Sequence, residues 1–485
     1  MKIFAVLWRR FAADSAIAVA ACLLASCATP PKDPPKAELM QIPSIEKTLA
    51  SVKTDGDWPA QKWWESFNDP ALSSLIEQAV NDSPTVKLAS AKIRRAEGLY
   101  RVARSFASPE ANAGARVSHN RISEHGLLPA SFVDNPYTQA DIFASVSYDL
   151  DLWDRAGFAA NAAGREVEAA NAEADEARLI LAHSVAMGYY TIANIRDSLE
   201  TLKSAQAAQD ALIKILAAKV RAGLENETEL DRARSIRAAM NESEEVLRGE
   251  TRLTINAVAA LVGAGPDDLD FLETDAQAPQ ALAVAVPHDL SLNLLARRPD
   301  VRSALSRVEA AADRIGVARA GFYPDVRFSA LAGFQSIDLL KLLDPTSLLY
   351  GFGPAISLPL FNAGRLEAGL DTANAEYDMA VERYNQMALS AAKEAVDQLT
   401  LVSSSSMRIE ALAEAYEQAR KAGRIAERRH AGGLEGKITP LRAELESLER
   451  KRALIMAQRA AVSARIGLIK ALGGGFDYSS AKSKE

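Results

Sequence analysis

The chain has 485 residues and a formal net charge of −7, with a sequence pI near 5.6, so it lacks the basic excess that marks a nucleic-acid partner. Charged residues make up 25% and aromatics 6%, and a mean hydropathy of −0.07 excludes a bundle of apolar membrane helices but not a β-barrel with a polar lumen. Cys22 and Cys27 lie near the start and the five histidines stand at no ligand spacing, so neither a disulfide framework nor a metal site is expected in the body.

In chain order, Lys2, Arg9 and Arg10 precede the apolar run SAIAVAACLLASCA, shorter than the ~20 residues of a comfortable membrane span. Residues 1–26 therefore read as a signal peptide. The run ends in Leu24-Ala25-Ser26-Cys27, which resembles the bacterial lipobox. That resemblance implies that Cys27 becomes the first mature residue and the lipid attachment site, carrying S-diacylglycerol and an N-acyl chain such as palmitate. Ala28 after the cysteine implies sorting to the outer membrane. Residues 27–60, with PPKDPPKAE, then form the lipidated N-terminus and an extended tether. Apart from the covalent lipid, no cofactor is expected.

Ser83-Pro84-Thr85-Val86 aligns with Arg298-Pro299-Asp300-Val301, and without a gap Ala103-Arg104 then falls on Ala318-Arg319 and Pro109 on Pro324. Further on, AGLE from Ala222 matches GGLE from Gly432, and Leu261-Val262-Gly263 matches Ala471-Leu472-Gly473. The chain thus holds two tandem copies, 61–280 and 281–475, before a tail at 476–485. Each copy predicts the same order. A helix (83–107; 298–321) leads with almost no loop into a strand (111–121; 325–336), and a polar loop leads to a second strand. The second strands are ADIFASVSYDLDLW from Ala140 and YGFGPAISLPLF from Tyr350, the latter weakened by Pro354 and Pro359.

The strands alternate. Val326, Phe328, Ala330, Ala332 and Phe334 stand on one side of the third, and Arg327, Ser329, Leu331, Gly333 and Gln335 on the other. Very long helices follow, about 155–220 and 363–430, with apolar positions such as Ile192, Ile195, Leu199 and Leu202 at three- and four-residue steps. At 1.5 Å per residue each gives roughly 100 Å of helix. Gly223 and Gly433 supply the stops, and a helix of ~35 residues returns from each turn.

Strands of this length cross a bilayer at a tilt, yet four cannot close a barrel, since the smallest have about eight. Open strand edges are not tolerated in lipid, so several protomers must share one barrel. A strand that continues a helix then reads as one wall passing from periplasm into membrane.

The residues WWESFNDPALSSLIEQAV from Trp63, YDLDLWDRAG from Tyr148, LLARRPDVRSAL from Leu294, ARAGFYPDV from Ala318 and LPLFNAGRL from Leu358 look like those of the TolC-type outer-membrane efflux factors. Together with the lipobox they are similar to the NodT-like lipoprotein branch that serves RND multidrug systems. The resemblance spans nearly the whole mature chain. It implies a homotrimer with mixed α and β architecture: a twelve-stranded β-barrel, four strands per protomer, continuous with a periplasmic α-helical barrel. The implied function is passive conduction of small toxic compounds or antibiotics to the exterior, with a periplasmic adaptor, an inner-membrane RND transporter and outer-membrane lipid as partners.

The resemblance also places the periplasmic aperture at Asp231, Arg232, Ile438, Thr439 and Arg442, and the adaptor-docking tips at Gly223, Leu224, Gly433 and Leu434. One departure matters. Thr439 and Arg442 occupy positions that are usually acidic in the family, and Pro440 intrudes between them. We therefore expect a network of first-hairpin acids, such as Asp231, with Arg442 to hold the mouth closed. A duct for type I protein secretion is the closer rival; an autonomous porin would leave the long helices without a purpose. No catalytic residue is expected: GAGPDDLD from Gly263 lacks the lysine of a phosphate loop, and no nucleophile elbow is present.

Overall fold

The computed structural model describes residues 30–32, 34, 36–40, 57–123, 136–277 and 296–476. The signal peptide, Cys27 and most of the tether lie outside them, as do the 280/281 boundary between the two copies and all but the first residue of the tail.

The first copy begins with a 3-10 turn, Trp63–Phe67, and helix α1, Pro70–Asp82. Asp69 starts α1 by accepting hydrogen bonds from the Ala71 and Leu72 amides, and Pro70 fills the first helical position, where no donor is needed. Helix α2 (Pro84–Ser105), strands β1 (Glu110–Asn120) and β2 (Tyr137–Asp149), and helices α3 (Arg155–Arg221) and α4 (Glu227–Val262) follow. The second copy repeats them as α5 (Pro299–Ala320), β3 (Asp325–Ser336), β4 (Leu348–Ser357), α6 (Arg365–Ala431) and α7 (Ile438–Ala471). Helices α3 and α6 are 67 residues each, so the repeat read from the sequence is kept in the lengths.

Two strand boundaries differ from the sequence expectation. β2 spans Tyr137–Asp149 and stops short of Trp153 because the Asp151 carboxylate turns back to accept from the Ala156 and Gly157 amides at the start of α3. Trp153 leaves the strand to stack on Tyr323 at 4.6 Å and to donate its indole N–H to the Pro324 carbonyl. β4 spans Leu348–Ser357, so Pro359 lies beyond it; Pro354 is within it, opposite Phe328, and supplies no backbone donor there.

The four strands form one antiparallel sheet in the order β1-β2-β3-β4. Its register gathers the apolar residues on one face. Ala113 pairs with Ala144 and Ala144 with Ala332, which in turn pairs with Tyr350; Ile142 pairs with Phe334 and Phe334 with Leu348. Val326, Ala330, Phe352 and Ile356 extend the same face. The other face is polar: Arg327 makes a bidentate bond to Asp149, and Asp141 accepts from Gln139 and Gln335. Leu331 and Leu349 interrupt it, and so does Phe143. Phe143 lies opposite Gly114 and Gly333, where an added Cβ would come 2.9 Å from its ring and 2.2 Å from the Ile142 carbonyl oxygen respectively. Glycine at both flanks gives the ring its room.

The chain clusters into two compact units, and each draws on both copies. One contains Arg94–Ala169 and Leu305–Arg383, and therefore the whole sheet. Within it, Arg314 and Arg307 of α5 reach Glu166 of α3, and Arg165 reaches Glu309. The other contains Met40–Ile93, Ala170–Ala304 and Tyr384–Glu485. Its main core packs Trp63, Leu72 and Ile76 against Val185, Tyr189 and Ile192 of α3, Ile255 and Val258 of α4, and Ile466 of α7.

That unit also holds a buried charged knot. Arg298, from the RRPDV segment, donates to both carboxylate oxygens of Asp300, to Glu394 of α6 at 2.9 Å and to the Ala471 carbonyl of α7 at 2.9 Å. Lys470 donates to Glu394 at 2.7 Å. Close by, burial lowers the His183 pKa to about 4, with Lys470 adding repulsion and Glu394 opposing. Burial pushes the Glu394 carboxyl up, yet Lys470 and Arg298 outweigh it and hold the group below its usual range. A histidine with a depressed folded pKa contributes stability that is present above the unfolded value of 6.5 and lost as pH falls toward 4. Glu394 has the same sign at lower pH, whereas Glu176, raised first by burial and then by Asp300, opposes it. The melting temperature of the purified protein is therefore expected to fall between pH 7 and 4.5, and His183→Gln to flatten that slope; an unchanged slope in the variant would remove His183 from the account.

Candidate functional site at the hairpin ends

Helix α3 ends where Gly223 enters left-handed backbone at φ +70, with its amide on the Val220 carbonyl and that of Leu224 on the Lys219 carbonyl. Asn226 then caps α4 by accepting from the Glu229 amide. The second hairpin repeats the device: Gly433 has φ +73, and the Leu434 amide meets the Arg429 carbonyl at 2.8 Å. A Cβ at either glycine would meet nothing within 4 Å, so the glycines are required by backbone conformation alone. Leu224 and Leu434, next in line, are 73% and 71% exposed. Each hairpin therefore presents a bare leucine at its end.

Behind the tips the hairpins share a small apolar core. Leu212 and Leu216 of α3 meet Leu230 and Ala233 of α4 and Leu441 of α7, with Ile438 and Leu445 against them. Ile438, half-buried, packs against this cluster. Pro440 does not break α7; it sits in the first turn, where its missing donor costs no helical bond. Thr439 is exposed. Arg232 and Arg442 line a groove of about 720 Å³ floored by Leu202, Leu212, Leu216 and Leu445.

Arg442 does meet an acid of the first hairpin, though the acid is not Asp231. Arg442 is joined to the first hairpin by Glu229, at 3.1 Å, while Asp231 is held by Arg234 on its own helix at 3.2 Å. Glu229 is one of the acids that crowd the first tip, two residues before the Asp231 taken as the example. Asp231 is therefore about 200° further around the helix and faces away. Arg429 meets Glu435 and Lys437 meets Glu427 within the second hairpin. The Arg442 and Glu229 side chains are 58% and 37% exposed, so this pair contributes only about 0–1 kcal/mol. Among the described residues no cluster of histidine, cysteine or acids could hold a metal ion.

Each copy thus supplies two strands of the apolar-faced sheet and, further along the chain, a 67-residue helix that ends in a capped hairpin. The sequence profile of the family described as "Outer membrane efflux protein" matches residues 75–264 and 290–474. Multidrug resistance outer membrane protein MdtP of Escherichia coli K12 is 31% identical over 462 residues, 94% of each chain. Toluene efflux pump outer membrane protein TtgF of Pseudomonas putida is 27% identical, covering 90% of this chain and 91% of its own. The crystal structure of the outer membrane protein VceC from Vibrio cholerae aligns with a TM-score of 0.78 at 34% identity, over 87% of this chain and all of that one. The Campylobacter jejuni CmeC outer membrane channel, 22% identical with a TM-score of 0.83, shares the fold. The chain belongs to the outer membrane efflux protein family.

Proposed function

We propose that this protein is the outer-membrane exit duct of a tripartite efflux pump, passively conducting small toxic compounds or antibiotics from periplasm to exterior. The observation that carries the reading is the sheet: one continuous apolar face, with Tyr350, Phe352 and Ile356 exposed at 69–75%, and unpaired outer edges on β1 and β4. Such a surface is costly in water and its edges are costly in lipid; a bilayer covers the face, and joining edges with further copies pairs the open backbone groups. Three copies would give a twelve-stranded barrel. Phe106, Trp153 with Tyr323, and Phe361 flank the end of the sheet where the helices enter, at the level where barrel aromatics meet the membrane interface.

In this reading the strands lie in the outer membrane of a Gram-negative cell and the hairpins reach into the periplasm. Leu224 and Leu434 then offer apolar contacts to a periplasmic adaptor, which links the duct to an inner-membrane RND transporter. Cys27 carries the lipid, which mass spectrometry of the mature N-terminal peptide would detect. A strain lacking the protein is expected to gain sensitivity to antibiotics, dyes or solvents; loss of a secreted polypeptide with unchanged drug tolerance would favour the type I secretion reading instead.

The aperture reading gives a further expected result. Arg442→Glu places a carboxylate against Glu229 in every copy, turning attraction into repulsion around a shared axis. Single-channel conductance in planar bilayers is expected to rise, and Asp231→Asn to leave it near wild type. Unchanged conductance in the first variant, with assembly intact, would reduce the pair to a solvated surface contact.

A further inference from the structure

The connection between β3 and β4 is apolar where membrane-protein loops usually face water. Ile337, Leu339, Leu340 and Leu343 are 70%, 55%, 97% and 71% exposed, and Leu348 at the start of β4 is 54% exposed. These side chains do not shape the loop. Its form is set by polar caps: Asp338 accepts from the Leu340 amide, Asp344 accepts from the Thr346 amide and hydroxyl, and the Ser347 hydroxyl donates to the Lys341 carbonyl. The loop is therefore held in form while its leucines are left bare. A contiguous exposed apolar patch of this kind marks a surface that meets another phase or partner.

The patch suits one occupant. Phe334 and Leu348 form the last pair of the β3–β4 ladder, on the face that carries Tyr350, Phe352 and Ile356, so the patch continues the apolar face without a break. Lys341 stands among the leucines, 71% exposed, with its ammonium 3.9 Å from Asp338. A long basic side chain beside bare aliphatic ones suits a boundary between acyl chains and anionic phosphates. We propose that residues 337–348 insert into the outer leaflet, with Leu339, Leu340 and Leu343 among acyl chains and Lys341 at the headgroup phosphates. The proposal rests on the outer-membrane duct reading and adds a lipid-docking surface on each chain.

The test uses the full-length oligomer in liposomes containing an anionic phospholipid. Leu340→Cys, Leu343→Cys and, separately, Phe352→Cys would each be labelled with an environment-sensitive fluorophore. Quenching is then compared between an acyl-chain nitroxide lipid and aqueous iodide. All three labels are expected to be quenched at least several-fold more by the nitroxide lipid than by iodide. If Phe352→Cys responds to lipid while both loop labels respond to iodide, the loop projects into water and the proposal fails with the barrel intact. Loop labels shielded from both quenchers would show them covered by protein, a neighbouring copy or the lumen, which also overturns it. A Phe352→Cys label that responds to iodide would overturn the duct reading and the loop proposal with it.

Discussion

Phe352→Arg is expected to abolish the assembled oligomer. Phe352 is 75% exposed in one chain, on the apolar face opposite Ala330, and near the middle of β4. An arginine facing lipid near the bilayer midplane costs about 2–4 kcal/mol, and every copy in the barrel would bear it. Ser329→Arg is the matched control. It lies one residue from Ala330 and on the opposite, polar face, in register with Ser147 and Gly353. That variant is expected to assemble and to change ion selectivity. Semi-native electrophoresis of outer-membrane extracts checks both; equal assembly of the two variants would mean that the faces have been assigned wrongly.

Arg298→Ala should be the most destabilising single change in the unit formed by the long hairpins and α1. The Arg298 and Asp300 side chains are 8% and 11% exposed, and Glu394 is 27% exposed. Burial opposes the charge on Arg298, but the hydrogen bonds and charges of Asp300 and Glu394 more than offset it and raise its pKa. Removing the guanidinium leaves Asp300 beside Glu176 without its cation, leaves Glu394 to Lys470 alone, and takes the donor from the Ala471 carbonyl. Breaking a buried pair on one side costs about 3–5 kcal/mol. Arg298→Lys should recover only part of this, because an ammonium cannot span Asp300, Glu394 and Ala471 with one planar fork. Thermal unfolding followed by circular dichroism in detergent measures the loss, and a melting temperature within a degree of wild type for Arg298→Ala would refute the account of the knot.

Much of this arrangement was legible in the sequence, for local reasons. Two proline-free runs with three- and four-residue apolar spacing fixed the 67-residue helices almost to their ends, and Gly223 and Gly433 marked turns that need positive φ. Alternation in the strands assigned the apolar face before the register was known. Strand ends were less legible, because Asp151 and Trp153 have roles beyond β2 that depend on α3 and on Pro324. The charge pairs at the tips were hidden for a different reason. Whether Glu229 or Asp231 meets Arg442 depends on the rotation at which α7 packs on α4, which the Leu230, Ala233 and Leu441 contact decides. The Arg298 knot was invisible as a knot: its partners Glu394 and Ala471 are 96 and 173 residues away.

The central claim is that three chains close one barrel by joining β1 of one to β4 of the next. Both natural cysteines precede residue 28, so the body is free of thiols that would confuse a crosslink. Ala113→Cys on β1 combined with Phe352→Cys on β4, treated with a short bifunctional maleimide in isolated outer membranes, reports the edges directly. The account predicts a covalent ladder of one, two and three chains on denaturing gels, ending at three, with neither single variant forming more than traces of dimer. A product confined to the mass of one chain, or a ladder continuing past three, would contradict it.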